Sequence, residues 1–354
     1  MIRRNDCVDT DIRKVGLVVK LFTLSLVVLC LLPSISEAYN FLYIHPTTGE
    51  PLKWDGTDTI KYYLDPGPSD NPTSDQVHTL LKEAMKIWEN ASPDANVPKF
   101  EFAGWLPEDV NGTNYQAYAS LSSCYVSDLE SCATEAQKAI ETVIVFDDDG
   151  SIRSNELCRI TACAAVAGAR VFSGSSSDPG NIVQGIAVFG GISPDLLSSV
   201  SIVDATMDVM VHELGHLLGL AHSYLNQQGF GEGEPYYPTM MASSMLISGD
   251  ATTLSPDDIA GISALYPSDT LATDKATIKG QILKSDVSPM MWVSVIARNV
   301  DDPLCESYSW LSGRTCPDGL VSYPENNITG GTCYSGGVFT PTGNFSISGL
   351  HPGT

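Results

Sequence analysis

The spacing of apolar residues changes several times along this chain, and each change marks a predicted element. From Ser74 to Glu89, Val77, Leu81, Met85 and Trp88 recur at helical spacing, which predicts an amphipathic helix with one buried face. Short runs of strand formers at Thr59 to Leu64, Lys99 to Phe102, Val143 to Phe146 and Ile182 to Phe189 predict a sheet. A second helix is expected from Asp204 to Leu220. A third is expected within Leu254 to Tyr266, where Ser255 can cap it, Pro256 fits its first turn and Asp258 completes a capping box. Ile259, Ile262 and Leu265 would form the buried stripe of that helix. This mixture is α+β, and a region from 39 to 267 is long enough to bury a substantial core. Residues 268–275 read as a polar linker. Beyond it, β-formers cluster between turn residues at Ala276 to Leu283, Trp292 to Arg298 and Gly337 to Ile347, which predicts a small all-β sandwich over 276–354.

The beginning of the chain has a different pattern. Arg3, Arg4, Arg13 and Lys14 precede an apolar run from Leu21 to Leu32, and Ser36-Glu37-Ala38 places small residues where a signal peptidase looks for them. Residues 1–38 are therefore expected to be a cleaved leader. The run is about 12 residues, short of the roughly 20 that a membrane span needs, so no stable insertion is expected after cleavage. Without the leader, 14 Lys and Arg face 38 Asp and Glu, a net charge of −24. That balance argues against nucleic acid as a partner and fits a secreted protein.

Secretion makes disulfides the default reading of the seven cysteines that remain. Local pairs are expected, Cys124 with Cys132 and Cys158 with Cys163, while Cys305, Cys316 and Cys333 form an odd set. Asp147-Asp148-Asp149-Gly150 invites a calcium reading, but its glycine stands fourth rather than sixth, so a solvated turn is expected.

The most specific chemistry lies between His212 and His222, where HELGHLLGLAH fits HExxHxxGxxH at all five fixed positions. A chance match in a chain of this length has odds on the order of one in 10⁵. On a helix, His212 and His216 are one turn apart on the same face, so both imidazoles can reach one cation. Gly219 can take positive φ, end the helix and return His222 as a third nitrogen ligand. Three neutral nitrogens with an open fourth position suit one catalytic Zn2+, and Glu213 lies beside them as a general base rather than a ligand.

That spacing resembles the metzincin clan of zinc endopeptidases, and the neighbouring residues make the segment similar to the matrixin family within it. Ser223 directly follows the third histidine. Pro238-Thr239-Met240-Met241-Ala242 looks like the family's Met-turn, with Met241 the expected methionine beneath the metal and Met240 the alternative. Leu254 to Tyr266 resembles the last helix of a matrixin catalytic domain, where Asp257 or Asp258 would support that turn. The resemblance implies a metzincin-type α+β domain with a twisted sheet, a long active-site helix and a C-terminal helix. It implies a secreted zinc endopeptidase acting on protein or peptide substrates, which would lie along a sheet edge at Ala164 to Phe172 or Ile182 to Phe189. The loop Ser243 to Thr253 would shape the pocket after the cut bond. Ca2+ is suggested by this resemblance alone.

Two features depart from vertebrate matrixins. No PRCGxPD cysteine switch lies upstream, and no histidine lies between His78 and His212, so one zinc is expected rather than two. The closing segment GNFSISGLHPGT resembles carboxypeptidase-regulatory-like modules, in which another strand would follow. The competing expectation is a secreted binding or adhesion protein whose zinc site only supports the fold. An intact Glu213 speaks against it, because such a protein needs no base.

Overall fold

The structure is a computed structural model of the chain, and it describes residues 41–42, 51–54, 59–67, 74–119, 142–152, 165–173, 179–190, 200–223, 225, 238–241, 252–291, 293–303, 306–315, 321–322, 332–333 and 340–352. The leader, the two expected disulfide pairs and most of the loop from Ser243 to Thr253 lie outside these residues.

A five-stranded sheet organises the first region. Its strands are β1 (Thr59–Leu64), β2 (Lys99–Trp105), β3 (Thr142–Asp147), β4 (Ala165–Ser173) and β5 (Pro179–Gly190), in the order β2-β1-β3-β5-β4. All neighbours run parallel except β4, which is antiparallel to β5. β3 is buried at every position because both faces of the sheet are covered. Ile144 and Phe146 face the main core, while Val143 and Val145 face a smaller one with Leu106, Val110, Tyr115 and Ile152. One of the two expected substrate edges is removed by this order. β5 has neighbours on both sides, whereas β4 is the outer strand.

The main core lies between the sheet and two long helices, α1 (Ser74–Glu89) and α3 (Val200–Leu218), while the five-residue α2 (Tyr115–Ala119) gives Tyr115 to the smaller core. α1 buries Val77, Leu81, Met85 and Trp88, the four positions its spacing predicts. α3 begins at Val200, one turn before the expected Asp204, and ends at Leu218 rather than Leu220. The early start is a boundary that local propensity fixes weakly. The end is set by Gly219, whose positive φ breaks the helix.

α4 (Pro256–Leu265) has the predicted capping box, with the Ser255 hydroxyl and the Asp258 carboxylate each accepting a backbone N–H at the other's position. Within the expected linker, Leu271–Asp274 form a single helical turn, α5, and Lys275 pairs with Asp94 at 3.4 Å.

Beyond α5 the described strands form antiparallel pairs rather than wide sheets. β6 (Ala276–Gln281) pairs with β13 (Asn344–Leu350), β7 (Ser294–Arg298) with β8 (Ser307–Leu311), β9 (Arg314–Thr315) with β12 (Thr340–Pro341), and β10 (Val321–Ser322) with β11 (Thr332–Cys333). Among the described residues, the buried apolar side chains of this region join the core of the first. Tyr308, Trp310, Ile347 and Leu350 are buried within the main core, against α4.

Candidate metal centre

The last turns of α3 carry the site. His212, Glu213 and His216 are each at most 2% exposed, which is unusual for such polar groups and calls for partners. Gly219 takes φ +108°, and the helix closes with the paired bonds of a Schellman ending, Gly219 N–H to the His216 carbonyl and Leu220 N–H to the Gly215 carbonyl, both 3.0 Å. A side chain here would be strained, and its Cβ would lie 3.0 Å from Ile182 and 3.4 Å from the Leu52 carbonyl. The chain therefore reverses tightly and returns His222 to the face that holds the other two histidines.

The three imidazoles converge as the spacing requires. Nε2 of His222 lies 3.2 Å from Nε2 of His212 and 3.1 Å from Nε2 of His216. The other nitrogen of each helical histidine is committed. Nδ1 of His212 donates to the Thr239 carbonyl at 2.6 Å, and Nδ1 of His216 donates to the Leu220 carbonyl at 2.7 Å. A carbonyl can only accept, so both rings carry their proton on Nδ1 and turn the Nε2 lone pair toward the shared point. Lone pairs that face one another at this distance repel unless a cation lies between them. A tetrahedral zinc held at about 2.0–2.1 Å from each nitrogen would separate those nitrogens by about 3.3 Å, so the set fits. Burial pushes all three pKa values below the ordinary histidine value, to about 3 for His216, so the rings stay in the neutral form that binds a metal. This is the one group of three such ligands among the described residues. His78, the nearest upstream histidine in the described chain, shares a hydrogen bond with the Tyr62 hydroxyl at 2.9 Å inside an aromatic cluster.

Distant segments pin the helix that presents these ligands. The indole N–H of Trp88 donates to the Val211 carbonyl at 2.6 Å and that of Trp54 to the Leu217 carbonyl at 2.8 Å. The Tyr266 hydroxyl donates to the Leu218 carbonyl at 2.7 Å, and Leu42 N–H to the Gly219 carbonyl at 2.8 Å. The last carbonyls of a helix have no partner within it, so these four bonds, three at the end and one nearer the middle, fix its axial position. None of the four donors is marked by the motif. Trp54 and Tyr266 could be suspected only as buried aromatic residues with a polar tip that needs a partner.

The residues from Pro238 to Met241 form a tight turn beside the helix, with Met241 N–H donating to the Pro238 carbonyl at 3.1 Å. Of the two candidate aspartates, Asp258 holds this turn. Its carboxylate accepts Thr239 N–H at 2.7 Å and Met240 N–H at 3.0 Å, besides Ser255 N–H at 2.8 Å and the Ser255 hydroxyl at 2.7 Å. Thr239 is thus gripped at its N–H by Asp258 while its carbonyl fixes His212. Met240 packs its sulfur on Gly215 so closely that a Cβ there would sit 2.3 Å from it and 2.9 Å from the Trp88 ring. Met241 is 1% exposed and bridges to Ser223.

Asp257 has a different task. It is fully buried, and burial pushes its carboxyl up to about 7 despite the hydrogen bonds it accepts. Those come from the Ser223 hydroxyl at 2.5 Å and from Ser309 on β8, whose backbone N–H lies at 2.6 Å. The acidic triplet at 147–149 makes a turn ending in Gly150 at φ +70°. Asp147 there is buried and caps Ile152 N–H at 3.0 Å. The solvated part of the triplet is Asp148 and Asp149. Another buried carboxyl, raised like that of Asp257, had no sequence signal. Asp65, at the end of β1, accepts Gly67, Val110 and Phe146 N–H groups, and burial pushes it up to about 6.

A family model described as Matrixin matches residues 53–267, which contain the three histidines, Glu213, the 238–241 turn and α4. No curated protein matches the chain.

Proposed function

The chain belongs to the matrixin family of metallopeptidases, and from that premise we propose that it is a secreted zinc endopeptidase in which Glu213 is the general base. The observation that carries the reading is the convergence of three Nε2 lone pairs on one point with Glu213 adjacent in the same buried helical turn. His212, His216 and His222 would hold the zinc, which when bound supplies a water of near-neutral pKa and polarises the scissile carbonyl. Glu213 takes a proton from the attacking water and passes it to the departing amine, so one carboxylate serves both halves of the reaction.

The 238–241 turn and α4 position these groups through the Thr239 carbonyl and the Asp258 carboxylate. Met240 is occupied by its contact with Gly215 and Trp88, which supports Met241 as the methionine of the metal-site floor. The outer strand β4 is the edge on which an extended peptide can add as a further strand, since β5 is already paired on both sides. Secretion is supported by the leader pattern of residues 1–38, and among the described residues no helix is long and apolar enough to cross a membrane.

The test compares the parent with Glu213→Ala. The parent should bind about one zinc per chain and cleave an unfolded protein, losing that activity to a chelator. Glu213→Ala should keep its zinc and lose cleavage by roughly 10²–10⁴-fold, the usual contribution of a positioned general base. Equal cleavage by the two proteins would refute the assignment.

A further inference from the structure

His212 and His216 are placed by a regular helix and by the bonds of their Nδ1 atoms. His222 is not on that helix. Its position follows from the backbone after Gly219, so whatever fixes residue 223 also fixes the third nitrogen. Ser223 is held at two points: its N–H donates to the Met240 carbonyl at 2.8 Å, and its hydroxyl donates to Asp257 at 2.5 Å while accepting Leu225 N–H at 3.2 Å.

Asp257 in turn depends on β8. A carboxylate with no exposure is costly unless several donors replace its water. Ser309 supplies two of them, its backbone N–H at 2.6 Å and its hydroxyl at 3.1 and 3.3 Å from the two carboxylate oxygens. The same hydroxyl reaches the Ser223 hydroxyl at 3.2 Å, so the three side chains close a triangle. Ser309 is presented there by the β7–β8 pair, and its flanking residues Tyr308 and Trp310 are buried in the main core with Ile347 and Leu350. It lies well outside residues 53–267, so the family match contains nothing equivalent to it.

We infer that Ser309 of β8 is a positioning residue for the metal centre, acting through Asp257 and Ser223 to fix His222, so that the C-terminal strands complete the site rather than append to it. This rests on the zinc reading above.

The experiment uses the full chain loaded with zinc or, for spectroscopy, with cobalt. Four variants are compared with the parent: Asp257→Asn, Ser309→Ala, Ser309→Thr and Ile347→Ala. Zinc release to a chelator, the visible spectrum of the cobalt form and the thermal midpoint are measured for each. Replacing a group that orients a ligand typically weakens metal binding 10–100-fold, so Asp257→Asn should release zinc about tenfold faster and shift the cobalt bands. Ser309→Ala should move both readouts in the same direction by less, because its backbone donor survives. Ser309→Thr, which keeps the hydroxyl, should resemble the parent. Ile347→Ala removes a buried side chain that is no member of the triangle and should lower the midpoint while leaving the cobalt spectrum unchanged. The inference is overturned if Asp257→Asn and Ser309→Ala behave like Ile347→Ala, losing stability with the parent's zinc release and spectrum. A parent that takes up neither metal would instead overturn the zinc reading, and the inference with it.

Discussion

Replacing Asp258 with asparagine removes one charge and two hydrogens' worth of acceptor capacity at the point where the 238–241 turn meets α4. In the parent, one carboxylate oxygen accepts Thr239 N–H, Ser255 N–H and the Ser255 hydroxyl, and the other accepts Met240 N–H. The best orientation of the amide keeps its carbonyl where three donors converge and turns its NH2 toward Met240. Two donors then face each other in a site that is 2% exposed. An unsatisfied buried N–H costs about 1–3 kcal/mol. Loss of the negative charge from the first turn of α4 adds about 0.3–1 kcal/mol. The expected loss is about 1–4 kcal/mol, a substantial part of the roughly 5–15 kcal/mol that stabilises a domain. Urea unfolding of parent and variant, both zinc-free, measures it. The zinc site should respond too, because the Thr239 carbonyl that fixes His212 belongs to the same turn. About tenfold faster zinc release is expected. A stability loss under about 0.5 kcal/mol with unchanged zinc release would refute the idea that Asp258 holds the turn.

Gly219→Ala should cost about 1–3 kcal/mol, because φ +108° strains any side chain, and it should weaken zinc binding by displacing His222; an alanine variant with the parent's denaturation midpoint and zinc affinity would contradict this. The zinc-free chain should be sensitive to acid. Its three buried histidines stay neutral when folded but take up protons near their ordinary 6.5 when unfolded, so the unfolded chain binds more protons in acid. Stability should be fully present above about pH 6.5 and fall as the pH drops toward about 3, the value for His216. Asp257 works in the opposite sense. Its carboxyl is raised to about 7 from 3.8, so stability present in acid is lost as the pH rises through about 7. Urea midpoints measured from pH 4 to 8 should therefore pass through a maximum, and Asp257→Asn should flatten the alkaline side.

The convergence of the three histidines was legible in the sequence because the motif is local. Eleven consecutive residues contain the helical repeat, the glycine that breaks it and all three nitrogens, so no distant contact was needed to find them. The elements of the sheet and α1 were legible for the same reason, as was the capping box of α4. The supports were not. Whether Asp257 or Asp258 holds the turn depends on which carboxylate α4 presents to residues 239–240, and two adjacent aspartates in one helical turn look alike until the packing is known. Trp54, Trp88 and Tyr266 contact α3 across 163, 123 and 48 residues, with no periodic signal linking the partners. The order of the sheet was similarly hidden. Ala164 to Phe172 and Ile182 to Phe189 are both plausible edges as strings of residues, and only the pairing of β5 with β3 separates them. Across 276–354 the apolar alternation was legible, but what it packs on was not. Apolar alternation predicts a buried face, but Trp310 and Ile347 bury theirs against α4.

The hydrogen bond from Ser309 to Asp257 also sets a schedule. Ser223 and Ser309 are 86 residues apart, so a ribosome adding about 5–20 residues per second makes the second roughly 4–17 seconds after the first. By the end of that interval the three histidines, Glu213, the 238–241 residues and Asp257 have all been made, and the strand that covers Asp257 is the last to arrive. The chain therefore carries a delay in its own topology: the segment with the three histidines is synthesised early, and the strand that closes over its neighbour comes late.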